Sequence, residues 1–154
     1  MRIDIEPIGI IHSPFKRKED IRTLAFSSAT GFDEVGGEIE IFKKYEKGLK
    51  DIEGFSHLIV IYLFHKIESY SLHVKPYLDK NLRGVFSTRH PKRPNKIGFT
   101  IVKLLERNKN ILKVKGIDMI ESSPVLDIKP YTYRDRKENI KIGWLEELLK
   151  EQNI

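Results

Sequence analysis

Apolar and polar residues alternate with a period of two through much of the first two thirds of the chain, a pattern typical of strands with one buried face. The alternation predicts strands at residues 3–10, 37–43, 97–106, 111–116 and 125–128, and a short strand at 85–86. A further run, 57–65, is apolar at nearly every position, so we expect a strand covered on both faces. The polar stretch 107–110 is typical of a hairpin connection.

A helical period is clear only near the end of the chain. Trp144, Leu145, Leu148 and Leu149 form one apolar stripe, which predicts a C-terminal helix over about residues 142–151. A helix this short is marginal alone, so we expect its stripe to pack against the sheet. Residues 44–51 predict one short helical turn.

These elements predict a mostly β fold with one small barrel. The 154 residues suit a single domain spanning 1–154, and neither an internal repeat nor a Gly/Ser-rich linker divides them. We expect a single small β-barrel over about residues 3–132, with peripheral short helices and the C-terminal helix. Closure of the sheet, or pairing with a second copy, would protect its edges.

The sequence excludes a protein with a membrane-spanning helix and a protein that depends on cysteine. The longest uninterrupted apolar run, 58–64, has seven residues, whereas a membrane-spanning helix needs roughly 20. The N-terminus carries acids early and lacks the apolar stretch of an export signal, so we expect a cytoplasmic protein. The absence of cysteine excludes disulfides, thiolate zinc sites and a thiol nucleophile.

Positive charge is in excess and concentrated in one loop. Lys and Arg number 28 against 22 Asp and Glu, a net charge of +6 that favours anionic partners such as nucleic acid, although surface solubility is an alternative explanation. Residues 83–96 contain five basic residues, one histidine, two prolines and no acid. A stiff loop of this kind suits a phosphate or carboxylate, and a solvated cationic loop is the alternative.

A second candidate loop, 116–131, combines acids, serine hydroxyls and a proline-fixed turn that suit a ribose or an amino group, although such turns are common. The histidines include no helical i, i+4 pair, and no cysteine can complete a site, so we predict no metal site. Glycine-rich nucleotide motifs are absent, which disfavours a Rossmann-type methyltransferase or dehydrogenase.

Four segments together resemble the TsaA-like family, also called YaeB-like or TrmO: residues 8–16, 54–65, the Arg93-Pro94-Asn95 loop and 123–131. The resemblance implies a small β-barrel methyltransferase that binds S-adenosylmethionine outside any Rossmann fold and forms a homodimer. It also implies methylation of N6 of threonylcarbamoyladenosine beside the tRNA anticodon. The alternatives are a nonenzymatic RNA-binding barrel and a methyltransferase of the same fold that acts on another substrate.

The resemblance also implies site residues. Cofactor contacts would fall on Arg22, Thr23, His65, Lys66, Arg89, Phe99, Glu121, Ser122, Ser123 and Pro124. Phosphates of tRNA would be held by Arg83, Lys92, Arg93 and Lys96. Tyr131 and Tyr133 would form an aromatic platform for unstacked bases, or simply cap one end of the barrel. No catalytic residue is assigned, and Asp127 and His90 are the nearest candidates for accepting the N6 proton.

The chain departs from the family pattern at several of these positions. The family usually has Pro-Arg-Gln at residues 21–23, where this chain has Ile-Arg-Thr. It has Asp-Gly-Thr-Pro at 121–124, where this chain has Glu-Ser-Ser-Pro, and a proline where this chain has Lys96.

Overall fold

The computed structural model describes residues 1–21 and 31–153, and this part of the chain is built mainly from strands. In chain order the strands are β1 (Gly9–His12), β2 (Gly36–Ile41), β3 (His57–Leu63), β4 (His73–Val74), β5 (Arg83–Gly84), β6 (Ile97–Asn108), β7 (Ile111–Lys115) and β8 (Pro124–Pro130). Short 3-10 helices cover Lys43–Leu49, Ile52–Gly54 and Val85–Ser87, and the C-terminal helix covers Leu145–Glu151. The prediction of a mostly β fold with few helices is confirmed.

Six of the strands form one antiparallel sheet that closes on itself in the order β1-β2-β7-β6-β3-β8. The ring closes where β1 meets β8, with Gly9 opposite Val125 and Ile10 opposite Pro124. The sheet is therefore a closed barrel, and β4 and β5 form a separate two-stranded ribbon. Closure leaves these six strands with few unpaired edges.

The core fills the inside of this barrel. Along β6, Gly98, Thr100 and Val102 are buried, whereas Phe99 and Ile101 are exposed. The inward positions of the other strands complete the core: Ile11, Ile39, Ile41, Leu58, Val60, Leu112, Val114 and Val125. On β3 the outward-facing Ile59 is also only 9% exposed, so the prediction of a strand covered on both faces is confirmed there.

Three predicted elements differ in the structure. The first strand begins at Gly9 rather than at residue 3, because residues 1–7 lie exposed outside the sheet. Val85 and Phe86 form a 3-10 turn rather than a strand, closed by the bond from the Thr88 N–H to the Val85 carbonyl. The hairpin connection shortens to 109–110 because β6 runs on to Asn108.

The C-terminal helix begins later than the pattern predicts, after Trp144, and it packs only lightly. Trp144 is its anchor: the indole Nε1 donates to the Ser87 carbonyl at 2.9 Å, and the Arg83 guanidinium lies 5.0 Å from the ring centroid. Leu145 remains 37% exposed, so the apolar stripe is only partly covered. No helix in the described part of the chain is long and apolar enough to cross a bilayer.

Candidate functional site

One end of the barrel gathers the connections that carry most of the candidate residues. Because neighbouring strands are antiparallel, β1, β3 and β7 all finish at the same end, where β2, β6 and β8 begin. The connections 13–35, 64–96 and 116–123 therefore meet there. We call this end of the barrel the loop end. Arg22 and Thr23 belong to the first connection but lie outside the described residues.

A cavity of about 360 Å³ opens at the loop end, beside the first half of β6. Arg89 lines it from the basic loop, Phe99 and Thr100 line it from β6, and Asp118 lines it from the connection after β7. The remaining lining residues are Gly31, Phe32, Asp33, Ile101 and Gly116. Three connections and one strand thus supply one cationic, two aromatic and two acidic side chains to a single cavity.

Backbone polar groups of β6 face this cavity. β7 ends at Lys115 opposite Lys103, so among the described strands residues 97–102 of β6 pair only with β3. The Leu104 N–H donates to the Ser56 carbonyl, and Lys96 accepts from the Phe64 N–H, so the even-numbered positions bond toward β3. In an antiparallel pair, successive residues direct their backbone N–H and C=O groups to opposite sides of the strand. The backbone groups of Phe99 and Ile101 therefore point away from β3, toward the cavity.

The charged groups in the cavity are arranged around Phe99. The guanidinium carbon of Arg89 lies 5.6 Å from the ring centroid of Phe99, within cation–π range. Asp118 accepts a 2.6 Å hydrogen bond from Thr100 Oγ1. Burial raises the pKa of Asp118, against the opposing effects of the Thr100 bond, its own backbone and the positive charge of Arg89. The cavity therefore contains an acid that the protein compensates only in part.

His65 and Lys66 follow β3 at the loop end but are not among the residues that line the cavity. The Phe64 N–H donates to the Lys96 carbonyl at 2.8 Å, which fixes this segment beside the start of β6. Burial, and then the nearby positive charge of Lys66, lower the pKa of His65. His65 and Lys66 therefore lie at the loop end without contributing to the wall of the cavity.

Glu121 is held by the first connection. Its carboxylate accepts from the backbone N–H of Ser13, and its Oε1 lies 3.2 Å from His12 Nδ1. The other ring nitrogen, Nε2, lies 2.7 Å from Glu40 Oε2, so His12 links two carboxylates. Burial alone would raise the pKa of Glu121, but the Ser13 and His12 hydrogen bonds and Lys16 bring it below its usual value.

The three residues after Glu121 lead into β8. Ser122 donates its N–H to the Ile11 carbonyl and has a φ of 64°, a left-handed conformation that favours glycine. The family pattern has glycine at this position, so the backbone geometry accounts for that preference. Ser123 is buried, with Oγ donating to the Ile120 carbonyl, and Pro124 begins the strand opposite Ile10.

The four residues expected to hold phosphates have different surroundings. Arg93 turns inward, and its Nη1 donates to the carbonyls of Val85, Thr88 and His90. Arg83 pairs with the buried carboxylate of Asp79 at 2.8 Å. Lys96 Nζ donates to the Glu68 carbonyl, whereas Lys92 is exposed.

The predicted aromatic platform lies at the opposite end of the barrel. The Tyr131 N–H bonds to the carbonyl of His57, at the start of β3, and Tyr133 is 95% exposed. The seven residues of β8, at about 3.3 Å per residue, separate these tyrosines from the loop end. Capping of a barrel end, one of the two roles considered for them, matches this placement.

The two candidate proton acceptors are also engaged. Asp127 Oδ2 lies 2.6 Å from Lys129 Nζ, and Oδ1 accepts from the Ile128 N–H. His90 follows Arg89 and accepts at Nδ1 from the Lys92 N–H. Within the described residues, no group of three or more acids or histidines could hold a metal ion.

A larger cleft of about 580 Å³ lies at the other end of the barrel and has a different character. It is lined by Lys47, Lys50, Asp51, Glu53 and Arg107. Arg107 is already bound to the Glu53 carboxylate and the Leu49 carbonyl, each at 3.0 Å. No aromatic side chain lines this open cleft, so the smaller cavity beside β6 is the better candidate site.

The sequence assigned no role to three residues of the site region. Asp118 and Thr100 meet in the cavity, but they are separated by the β6–β7 hairpin and neither belongs to a spaced motif. His12 lies within one of the segments that carry the family resemblance, yet its contacts with Glu40 and Glu121 span separations of 28 and 109 residues. Two signals were available: the alternation along β6 places Thr100 on the inner face, and Asp118 lies within the candidate loop 116–131.

Comparison with known proteins gives the family. The model of the tRNA-methyltransferase O N-terminal domain matches residues 10–135, most of the barrel and the loop end. The fold and this site define a small barrel protein with a mixed-charge cavity beside an open strand edge. The chain belongs to the tRNA-methyltransferase O family.

The chain is similar to proteins from archaea and animals and to solved structures of this family. It is 46% identical over 147 residues to a Pyrococcus abyssi protein named "Probable S-adenosyl-L-methionine-binding protein", covering 95% of this chain and 78% of that one. It is 40% identical over 131 residues to the human tRNA (adenine(37)-N6)-methyltransferase, covering 82% of this chain but 29% of the human protein. A crystal structure of TrmO matches 93% of this chain and 64% of its own with a TM-score of 0.75 and 33% identity.

Proposed function

We propose that this protein binds S-adenosylmethionine in the cavity beside β6 and transfers its methyl group to N6 of threonylcarbamoyladenosine in tRNA. Membership of the family and the names of the relatives support the cofactor and the reaction. The observation that carries the proposal is the convergence of Arg89, Phe99 and Asp118 on one cavity at the loop end. A cationic, an aromatic and an acidic group fit a ligand that is at once a nucleoside and an amino acid.

The size and polarity of the cavity fit such a ligand. Its volume, about 360 Å³, falls in the range of about 300–1,000 Å³ typical of small-molecule sites. The Arg89 guanidinium suits a carboxylate, and the exposed backbone groups of Phe99 and Ile101 suit the hydrogen-bonding edge of a base. His65, Lys66 and 121–124 would then border the ligand rather than enclose it.

In this proposal the protein contributes mainly positioning. The cofactor supplies an activated methyl group at its sulfonium sulfur. Arg89 and Phe99 would fix one side of the ligand. As the sulfur–methyl bond breaks and the N6–methyl bond forms, the N6 proton would leave to solvent at the open side of the cavity, where Phe99 is 42% exposed. Alignment of two reactants in one site accounts for a large part of the acceleration of a transfer reaction. The Ser122–Pro124 segment, held to β1 by backbone bonds, keeps the border of the cavity in place.

We further propose that tRNA approaches the loop end across the basic loop. Lys92 is exposed there, and residues 83–96 contain five basic residues and no acid. Phosphate contacts of this kind make affinity fall steeply with salt. Because Arg93 bonds to three carbonyls and Arg83 to Asp79, we assign the direct electrostatic contribution mainly to Lys92, with Arg93 holding the loop in shape.

We also propose that the protein acts as a homodimer in the cytoplasm. The segment between β3 and β6 exposes large apolar side chains, among them Leu82 at 69% and Phe86 at 73%. Exposed apolar surface of this kind often marks an interface between chains. Light scattering tests the assembly: a mass of two chains supports it, and a single-chain mass contradicts it.

Incubation of the purified protein with S-adenosylmethionine and tRNA that contains threonylcarbamoyladenosine tests the activity. Nucleosides are then analysed by mass spectrometry. A gain of one methyl group on that nucleoside supports the proposal, and Arg89→Ala should reduce this gain at limiting S-adenosylmethionine. Methylation of a different nucleoside would indicate another substrate. RNA binding with no stabilisation by S-adenosylmethionine would indicate a nonenzymatic RNA-binding barrel.

A further inference from the structure

The connection after β7 contains two acids with different surroundings. Glu121 was the acid expected to receive hydrogen bonds from the cofactor, but His12 and Ser13 hold its carboxylate against β1. Asp118, three residues earlier, lines the cavity together with Arg89 and Phe99. Asp33 also lines the cavity but is exposed, whereas Asp118 is half-buried and accepts a hydrogen bond from Thr100 Oγ1, so Asp118 is the cavity acid with a fixed position.

Comparison with Asp79 shows that Asp118 is the less compensated of two acids in the structure. Asp79 is 5% exposed, but it accepts from Arg83 Nε and from the Asn81 N–H, and these bonds lower its pKa. For Asp118, burial outweighs its bond from Thr100 and the charge of Arg89, and the pKa is raised. A carboxylate removed from water is costly unless it is paired, so a positively charged partner in the cavity would stabilise it.

We propose that Asp118 binds the positively charged α-amino group of the cofactor's amino acid part, while Arg89 binds the α-carboxylate of the same part. The inference rests on the proposed cofactor. An amino acid carries adjacent opposite charges, and the cavity presents a carboxylate and a guanidinium to match them. Either residue alone would bind any ion of opposite charge, whereas the pair favours a ligand that carries both an amino group and a carboxylate.

Two ligands isolate this contact: S-adenosylhomocysteine, and the analogue in which hydrogen replaces its α-amino group. Neither carries a sulfonium charge, so their difference reports on the amino group alone. The wild-type protein should bind S-adenosylhomocysteine at least tenfold more tightly, as expected for a hydrogen bond between charged groups. In Asp118→Asn, which retains an acceptor for Thr100, the ratio of the two affinities should fall to within twofold of one.

Asp79→Asn is the matched control, since it neutralises a buried aspartate that lies outside the cavity, and it should keep the wild-type ratio. An unchanged affinity ratio in Asp118→Asn would overturn the inference, and so would an equal loss of affinity for both ligands. If Asp118→Asn does not fold, a wild-type ratio near one still overturns it. Failure of the wild-type protein to bind S-adenosylhomocysteine at all would contradict the proposed cofactor itself.

Discussion

Gly98 on β6 lies directly opposite Tyr62 on β3, and the ring of Tyr62 covers the space that a side chain at position 98 would need. A Cβ placed on Gly98 would lie 2.3 Å from Tyr62 Cζ. Tyr62 is itself buried and packs edge-on against Phe64, with ring centroids 5.2 Å apart. The close approach therefore fixes the start of β6 immediately before Phe99 and Thr100 of the cavity.

Gly98→Ala should destabilise the protein by about 3 kcal/mol, because the buried ring has little room to move away. Chemical denaturation measures the difference. Gly36→Ala is the matched control, since Gly36 is also in a strand but a Cβ there would meet nothing within 4 Å. We expect that control to lie within about 0.5 kcal/mol of the wild type. Similar stabilities for the two variants would contradict the packing of Tyr62 on Gly98.

Two changes toward the family pattern should have opposite effects. Ser122 has a φ of 64°, so Ser122→Gly should relieve strain and stabilise the protein by up to about 1 kcal/mol. Lys96 has a φ of 54° and its N–H bonds to the Arg93 carbonyl, whereas proline requires a φ near −65° and has no N–H. Lys96→Pro should therefore destabilise by about 3 kcal/mol. Thermal melts compare the two, and a stabilising Lys96→Pro would contradict the loop geometry.

Arg93 and Lys92 are neighbours with separable roles. Arg93→Ala should cost about 1–3 kcal/mol of folding free energy, because it removes one donor from each of three carbonyls of the basic loop. Lys92→Ala should change stability by less than about 0.5 kcal/mol, since its side chain is exposed. Denaturation curves of both variants decide this. Equal stability of Arg93→Ala and the wild type would show that Arg93 does not hold the loop.

Arg89 and Lys92 should separate cofactor binding from RNA binding. Arg89→Ala should weaken S-adenosylmethionine binding at least tenfold, the effect of losing a hydrogen bond between charged groups. Lys92→Ala should leave that affinity unchanged, weaken RNA binding and reduce its salt dependence by about one phosphate contact. Titrations with each ligand at several salt concentrations measure both effects. Identical cofactor affinities in the two variants would mean that Arg89 lies outside the cofactor site.

His12 should make stability depend on pH. Its hydrogen bond to Glu40 raises its pKa against the effect of burial, with Glu121 adding to the increase. Protonated His12 therefore stabilises the fold fully below about pH 6.5, the unfolded value, and this contribution disappears as pH rises through the higher folded value. The stability lost in His12→Gln should be larger at about pH 6 than at about pH 9.

Glu40→Gln provides the second arm of the His12 test. Removing the nearer carboxylate should reduce the pH dependence of the His12→Gln effect, because Glu121 alone then faces the imidazole. His12 and both acids are partly exposed, so the effect should be no more than about 1 kcal/mol. A His12→Gln effect that grows with rising pH would contradict the assignment.

The sequence pattern predicted the barrel strands well because most of them have one covered face, as the alternation of Gly98, Thr100 and Val102 shows. It failed where an apolar residue had no strand to pair with. Ile3 and Ile5 alternate correctly yet remain 73% and 57% exposed. Val85 is buried within a 3-10 turn, a conformation that a two-residue pattern does not distinguish from a strand.

The site was less predictable because it forms from residues that are far apart in the sequence, and the spacing of motifs does not reveal which of them meet. The resemblance placed Arg89 and Phe99 together, and the structure brings both into one cavity. It also implied Glu121, which does not line the cavity, whereas Asp118 does, because the two carboxylates are held by different neighbours. The orientation of Arg93 toward three carbonyls was equally hidden, because composition alone does not separate a cation in solvent from one that holds a loop together.

Calorimetric titration of folded protein with S-adenosylmethionine and with its demethylated product tests the central claim most directly. Because binding enthalpy varies with temperature, the titration is performed at two temperatures. We predict saturable heat for both compounds with one site per chain. No heat with either compound at both temperatures would contradict a cofactor site at the loop end.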